Sequence, residues 1–166
     1  MVLAIAAVVV AGAVGFMIAS SDERVLRNTS GEIELLAKKA RASAILHQAS
    51  YALELREGVV RLLPLAQAGI IQKKNSRLLP PVTAPELDDS TGKNQVVLGG
   101  DMAILIRRWN SDAWLPTTKG AVHVWRFDPD GLCEPVSIRL NLPKSWSEDT
   151  YHPLTATIRD SALEAR

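Results

Sequence analysis

Met1-Val-Leu-Ala-Ile-Ala-Ala-Val-Val-Val-Ala-Gly-Ala-Val-Gly-Phe-Met-Ile-Ala19 opens the chain, and its reading decides what kind of protein follows. From Val2 to Ala19 no side chain is charged or polar, and the first charged group is Asp22. As a helix this run would be about 27 Å long, close to the roughly 30 Å of a bilayer's hydrocarbon core. A helix apolar on every side has no face for water, so it belongs in lipid or inside a helical assembly. Small residues recur at Ala7, Ala11, Gly15 and Ala19, a four-residue step that puts them on one side. Such a stripe lets helix backbones approach closely in lipid, which makes these four residues the candidate assembly site. No positive residue precedes the apolar run, so a retained helix is expected over a cleaved signal peptide.

Length allows one such segment plus one globular domain in 166 residues. The net charge is +1 with no basic run, so nucleic acid is not an expected partner. Cys133 is the single cysteine and can form neither an intrachain disulfide nor a metal cluster by itself. Four of the eight aromatic residues are tryptophans, Trp109, Trp114, Trp125 and Trp146, which places the expected core in the C-terminal half.

Beyond Ser21 the chain turns polar while keeping helical character. Asn28-Thr29-Ser30-Gly31 is expected to interrupt the helix, with Thr29 and Glu32 forming a capping box that restarts it. Over residues 32–48 the apolar positions Ile33, Leu36, Ala37, Ala40 and Ala44 share one face. The period then becomes two. Tyr51, Leu53 and Leu55 alternate with Ala52, Glu54 and Arg56, Glu57-Gly58 is a turn, and residues 59–63 return as a hairpin partner. Residues 64–95, with Pro64, Pro80, Pro81 and Pro85, read as a variable loop with a short turn or strand at 65–71. Strands are expected at 96–98 and 102–109, separated by Gly99-Gly100-Asp101. Another is expected at 121–127, with Val122 and Val124 inward and His123 or Trp125 outward. Asp128-Pro-Asp-Gly131 is a turn, across which 135–140 is expected to pair back. Residues 154–158 would supply the last strand, with a short hairpin to Leu163.

No constellation for catalysis appears. His47, His123 and His152 are scattered without metal-ligand spacing. Asp128-Pro-Asp130-Gly131 lacks the further acidic ligands of a calcium loop. Cys133 has no catalytic frame and reads as a buried small residue. Nucleophile elbows, phosphate-binding loops and dinucleotide fingerprints are absent. No catalytic, cofactor-binding or metal residues are therefore assigned, and no enzyme is expected.

The apolar run Met1 to Gly15, the Ala/Arg-rich segment Glu34-Leu-Leu-Ala-Lys-Lys-Ala-Arg-Ala-Ser-Ala-Ile45, the block Val124-Trp-Arg-Phe-Asp-Pro-Asp-Gly131 and the strand Val136-Ser-Ile-Arg-Leu140 together resemble the type IV pilin-like family. The resemblance is closest to minor pseudopilins of the GspH/FimT type in type II secretion. It implies an α+β fold, a long N-terminal hydrophobic α-helix followed by an antiparallel β-sheet or β-sandwich head. Residues 1–48 would form the spine, transmembrane over 1–20 and amphipathic over 21–48, and 49–166 a periplasmic head with its loop at about 64–95. The partners implied are other pseudopilins or pilins through the N-terminal helix, a prepilin peptidase and the bacterial inner membrane, with the N-terminus cytoplasmic. The family's leader and its Phe-Thr-Leu-x-Glu signature would stand immediately ahead of Met1, so the true start is expected upstream.

Two other readings share the spine. A subunit of a type IV or DNA-uptake pilus would show itself by exposed basic residues, for which Arg107, Arg108 and Arg126 beside Trp109 and Trp125 are the only hint. An unrelated single-pass anchored binding domain is the third.

Overall fold

The computed structural model describes residues 2–69 and 94–165, with side chains from residue 21 onward. It is an α+β structure with, among the described residues, one α-helix, α1 (Val2–His47), and nine strands: β1 (Tyr51–Arg56), β2 (Val59–Pro64), β3 (Gln95–Val97), β4 (Ala103–Arg108), β5 (Leu115–Pro116), β6 (His123–Phe127), β7 (Val136–Asn141), β8 (Trp146–Tyr151) and β9 (Ile158–Glu164). They form two antiparallel sheets, in the orders β3-β2-β1-β6 and β5-β4-β7-β8-β9.

From Ser21 to His47 the helix lays one stripe against both sheets. Leu26, Ser30, Ile33, Ala37, Ala40 and Ala44 step by four and three residues, and all are buried. Three alanines in that stripe bring the helix backbone close to the strands. Leu26, Ile33 and Leu36 supply the bulk, each contributing about 1.5–3 kcal/mol of hydrophobic burial. The expected break at 28–31 is absent, and the helix runs through it. Asn28, Thr29, Ser30 and Gly31 are weak helix formers, but tertiary packing outweighs propensity here. Ser30 faces inward and donates from Oγ to Asp149 Oδ2 at 2.5 Å, so the residue chosen as part of a joint is a fastening point. The helix ends at Gln48, in the left-handed region at φ 50°, where the Ala49 N–H reaches the Ala44 carbonyl and the Gln48 N–H reaches that of Ile45. This double closure is how helices finish when the chain must reverse.

The hairpin of β1 and β2 forms as expected, with Gly58 at φ +76° completing the turn. Tyr51, Leu53 and Leu55 point inward, in register with Leu62 and Val60 on β2 and with Phe127 and Trp125 on β6. Trp125 is fully buried, so the phase expected for 121–127 is reversed. Its ring lies 4.8 Å from both Phe127 and Tyr151, and the Tyr151 contact joins the two sheets. In the second sheet Ile104, Ile106, Ile138 and Leu140 form the inward rows. One continuous core thus draws on the helix and both sheets, not on the C-terminal half alone.

Residues 135–140 do not pair back onto 121–127. β6 pairs with β1, while β7 pairs with β4 and β8, and only one isolated bridge, Phe127 to Cys133, crosses the Asp128–Gly131 turn. Pro135 lacks the N–H a ladder needs, and β6 finds matching apolar partners on β1 instead. Nor does the final strand begin at Leu154. His152 to Thr157 is a tight turn, and β9 starts at Ile158 to pair with β8. The loop expected at 64–95 opens with a short 3-10 turn, Leu65–Gln67, and its remainder lies largely outside the described residues.

Candidate functional site

Ala7, Ala11, Gly15 and Ala19, the expected assembly stripe, have side chains outside the described residues. Among the described residues no helix is long and apolar enough to cross a membrane. What the structure does describe is how the helix beyond them is held. Five polar fastenings run down it: Ser145 Oγ donates to Asp22 Oδ2 at 3.1 Å, Ser30 to Asp149, the Ile158 N–H to Glu34 Oε1 at 3.2 Å, Lys39 Nζ to Asn94 Oδ1 at 2.5 Å, and Arg41 Nε to the Gly131 carbonyl at 2.9 Å. They reach strands and turns of both sheets, and one of them, Ser30, belongs to the buried stripe itself.

Ser30 and Asp149 sit in a crevice between helix and β8, rimmed by the Glu23–Arg27 ion pair and lined also by Ser147 and Ser161, with a volume of about 460 Å³. Ser147 Oγ is buried there without a hydrogen-bond partner. Tyr151, at the inner end of the same strand, has its hydroxyl pushed well above its usual range by burial, then by the nearby Asp149 and Glu34 carboxylates. Sequence reasoning missed β8 because Trp146-Ser-Glu-Asp-Thr-Tyr151 is polar on both faces and shows no apolar alternation.

The chemistry-bearing residues singled out from sequence are occupied structurally. Cys133 is buried, its thiol pushed up to about 11 by burial against the opposing pull of Arg41, and it faces the Pro153 carbonyl at 3.3 Å. Such a thiol is not a nucleophile at neutral pH. His47 packs beside Tyr51, His123 Nε2 meets the Pro116 carbonyl at 3.0 Å, and His152 Nδ1 accepts from the Leu154 N–H, three separate places. The Asp128–Gly131 carboxylates serve the turn itself: Asp128 accepts from Ser50 and Arg126, and Asp130 from the Leu132 N–H.

The arginines that hinted at DNA are each paired with a carboxylate: Arg107 with Glu148 at 2.8 Å, Arg108 with Glu134, and Arg126 with Asp128 at 2.6 Å. Trp125 is in the core and unavailable for stacking, while Trp109 is 72% exposed.

On the outer face of the first sheet a buried carboxylate, Glu54, pairs with the half-buried Arg56. Glu54 accepts from Arg56 Nε at 2.5 Å and from the Gly69 N–H at 2.9 Å. Burial pushes its carboxyl upward, but Arg56, the Gly69 N–H and the charge of Arg61 outweigh this and leave it below the ordinary glutamate value. Gly69, at the end of the described residues that follow β2, thus reaches this face.

On the outer face of the second sheet a second cleft, about 610 Å³, lies beside Arg139, Asn141 and Trp146. Arg139 was not singled out in sequence, and Trp114 and Trp146 were read only as part of the expected core, since two tryptophans and an arginine spread over 33 residues carry no spacing signal.

Compared with known protein families, curated proteins and solved structures, the chain matches none.

Proposed function

We propose that the protein is a minor pseudopilin, a structural subunit of a type II secretion pseudopilus that helps export folded proteins. The observation that carries this reading is the way residues 21–47 are built into the head, through a buried stripe and five polar fastenings to both sheets. A helix held like that makes an apolar N-terminal rod and a β-rich head into one piece, which is what a subunit packed by its rod requires. In this reading the rod sits in the bacterial inner membrane with its N-terminus cytoplasmic and the head periplasmic. A prepilin peptidase processes the precursor, and Ala7, Ala11, Gly15 and Ala19 pack against the rods of other pseudopilins. No catalytic step is assigned to the head.

The test is cysteine crosslinking in a host carrying a pseudopilus. Ala11→Cys should fractionate with membranes and form disulfides with other pilin-like rods carrying a matching cysteine. The buried Cys133 does not compete, because its thiol is sequestered. Recovery of the chain in the soluble fraction, or crosslinks no more frequent than from Leu46→Cys on the exposed helix surface, rejects the reading.

A further inference from the structure

We infer that the outward face of the second sheet holds a binding site for a small carboxylate that bears a hydrogen-bond donor beside it, centred on Arg139. Residues two apart on a strand share a face, so Arg139 and Asn141 of β7 stand side by side, in register with Glu148 and Trp146 of β8. The Arg139 guanidinium carbon lies 4.2 Å from the Trp146 ring centroid and 5.9 Å from that of Trp114. These rings hold the guanidinium plane by cation–π attraction and leave its N–H groups unused. The carboxylate opposite, Glu148, is engaged by Arg107 at 2.8 Å. Among the described residues Arg139 therefore has a positioned fork and no anionic partner, and its Nε is buried without an acceptor.

Asn141 presents the converse. Its Oδ1 is buried without a donor. Arg139 and Asn141, two residues apart on one face, thus hold an unmet donor and an unmet acceptor, and each is costly to leave without a partner. Both line the cleft of about 610 Å³, where Lys144 adds a second positive charge and Glu164 stands in the wall, accepting from Trp146 Nε1 at 3.0 Å. That volume suits a small molecule or the end of a chain.

The chemistry selects the ligand. A carboxylate matches the planar guanidinium fork in two parallel hydrogen bonds. A hydroxyl or amide N–H next to it supplies the donor that Asn141 Oδ1 lacks once that side chain turns toward the cleft. A neutral sugar leaves Arg139 unmet, and Glu164 disfavours a second negative charge. A sugar acid and a peptide C-terminus share this pattern.

Tryptophan fluorescence and ligand-observed NMR on the full-length protein in detergent micelles test it with galacturonate, N-acetylalanine, galactose and sulfate. At least one of the two carboxylates should bind saturably, with galactose and sulfate about tenfold weaker or worse; whichever carboxylate binds tighter identifies the source as sugar acid or chain end. Arg139→Gln should weaken binding about tenfold or more. Asn141→Asp, isosteric and placing a negative charge against the ligand, should do the same, and it decides the matter if Arg139→Gln unfolds. Arg126→Gln on the other sheet should change nothing. Sulfate binding as well as the carboxylates, no saturable binding by either carboxylate, or indifference to Asn141→Asp overturns the inference.

Discussion

At the scale of single residues, two positions carry more than their exposure suggests. Glu54 is a carboxylate with 3% of its surface exposed, kept charged by Arg56 and the Gly69 N–H. Its folded-state pKa is depressed, so its stabilisation is present above the unfolded glutamate value of about 4.3 and is lost as pH falls through the folded value. Glu54→Gln should therefore destabilise by about 1–3 kcal/mol at neutral pH. The gap between variant and parent in chemical-denaturation curves should narrow as the pH drops below about 4. A gap that is constant with pH would mean that the charge contributes nothing. Gly131 is the second. It lies at φ +83°, and a methyl there would stand 2.9 Å from Ile45 Cδ1 and 3.3 Å from an Arg41 guanidinium nitrogen. Gly131→Ala combines a disfavoured backbone conformation with that crowding and should lower stability by about 1–2 kcal/mol. Thermal melting checks this, and Gly58→Ala, with open space around it, isolates the backbone share.

At the scale of elements, the hairpin of β1 and β2 was legible because its period of two, its Glu57-Gly58 turn and its apolar partners all agree locally. The Asp128–Gly131 turn was legible for the same reason. What followed it was not, because pairing between β6 and β1 depends on Trp125 and Phe127 meeting Leu53 and Tyr51, residues more than seventy positions apart. The continuity of the helix through Ser30 was equally hidden, since its cause is a carboxylate on β8. The outer-sheet cleft has no sequence signature at all: Trp114, Arg139 and Trp146 become neighbours only through strand order. Ser30→Ala tests the helix fastening directly. It leaves Asp149 buried without its hydroxyl partner and should cost about 1–3 kcal/mol. Amide exchange should then speed up over residues 26–37 before it does in β7. Unchanged exchange there would assign the helix position to the alanine stripe alone.

For the molecule as a whole, the core is shared so thoroughly that no part of it is a separate layer. Trp125 and Tyr151 touch across the sheets, and Leu26 through Ala44 close the same cluster. Unfolding of the head should therefore be one cooperative event. The near-ultraviolet signal of the buried Trp125 and the amide protection of residues 33–44 should be lost at the same denaturant concentration. Early loss of helix protection with the tryptophan signal intact would show that the sheets stand alone.

The polar fastenings are also a route for force. The first, at Asp22, lies one residue beyond Ser21, and the last, at Arg41, grips the far turn, a span of roughly 30 Å along the axis. A tug or twist arriving at Ser21 is shared among five anchor points in parallel, so no single bond bears it and no hinge dissipates it. Whatever moves that end swings the outer surface of the second sheet through the same angle.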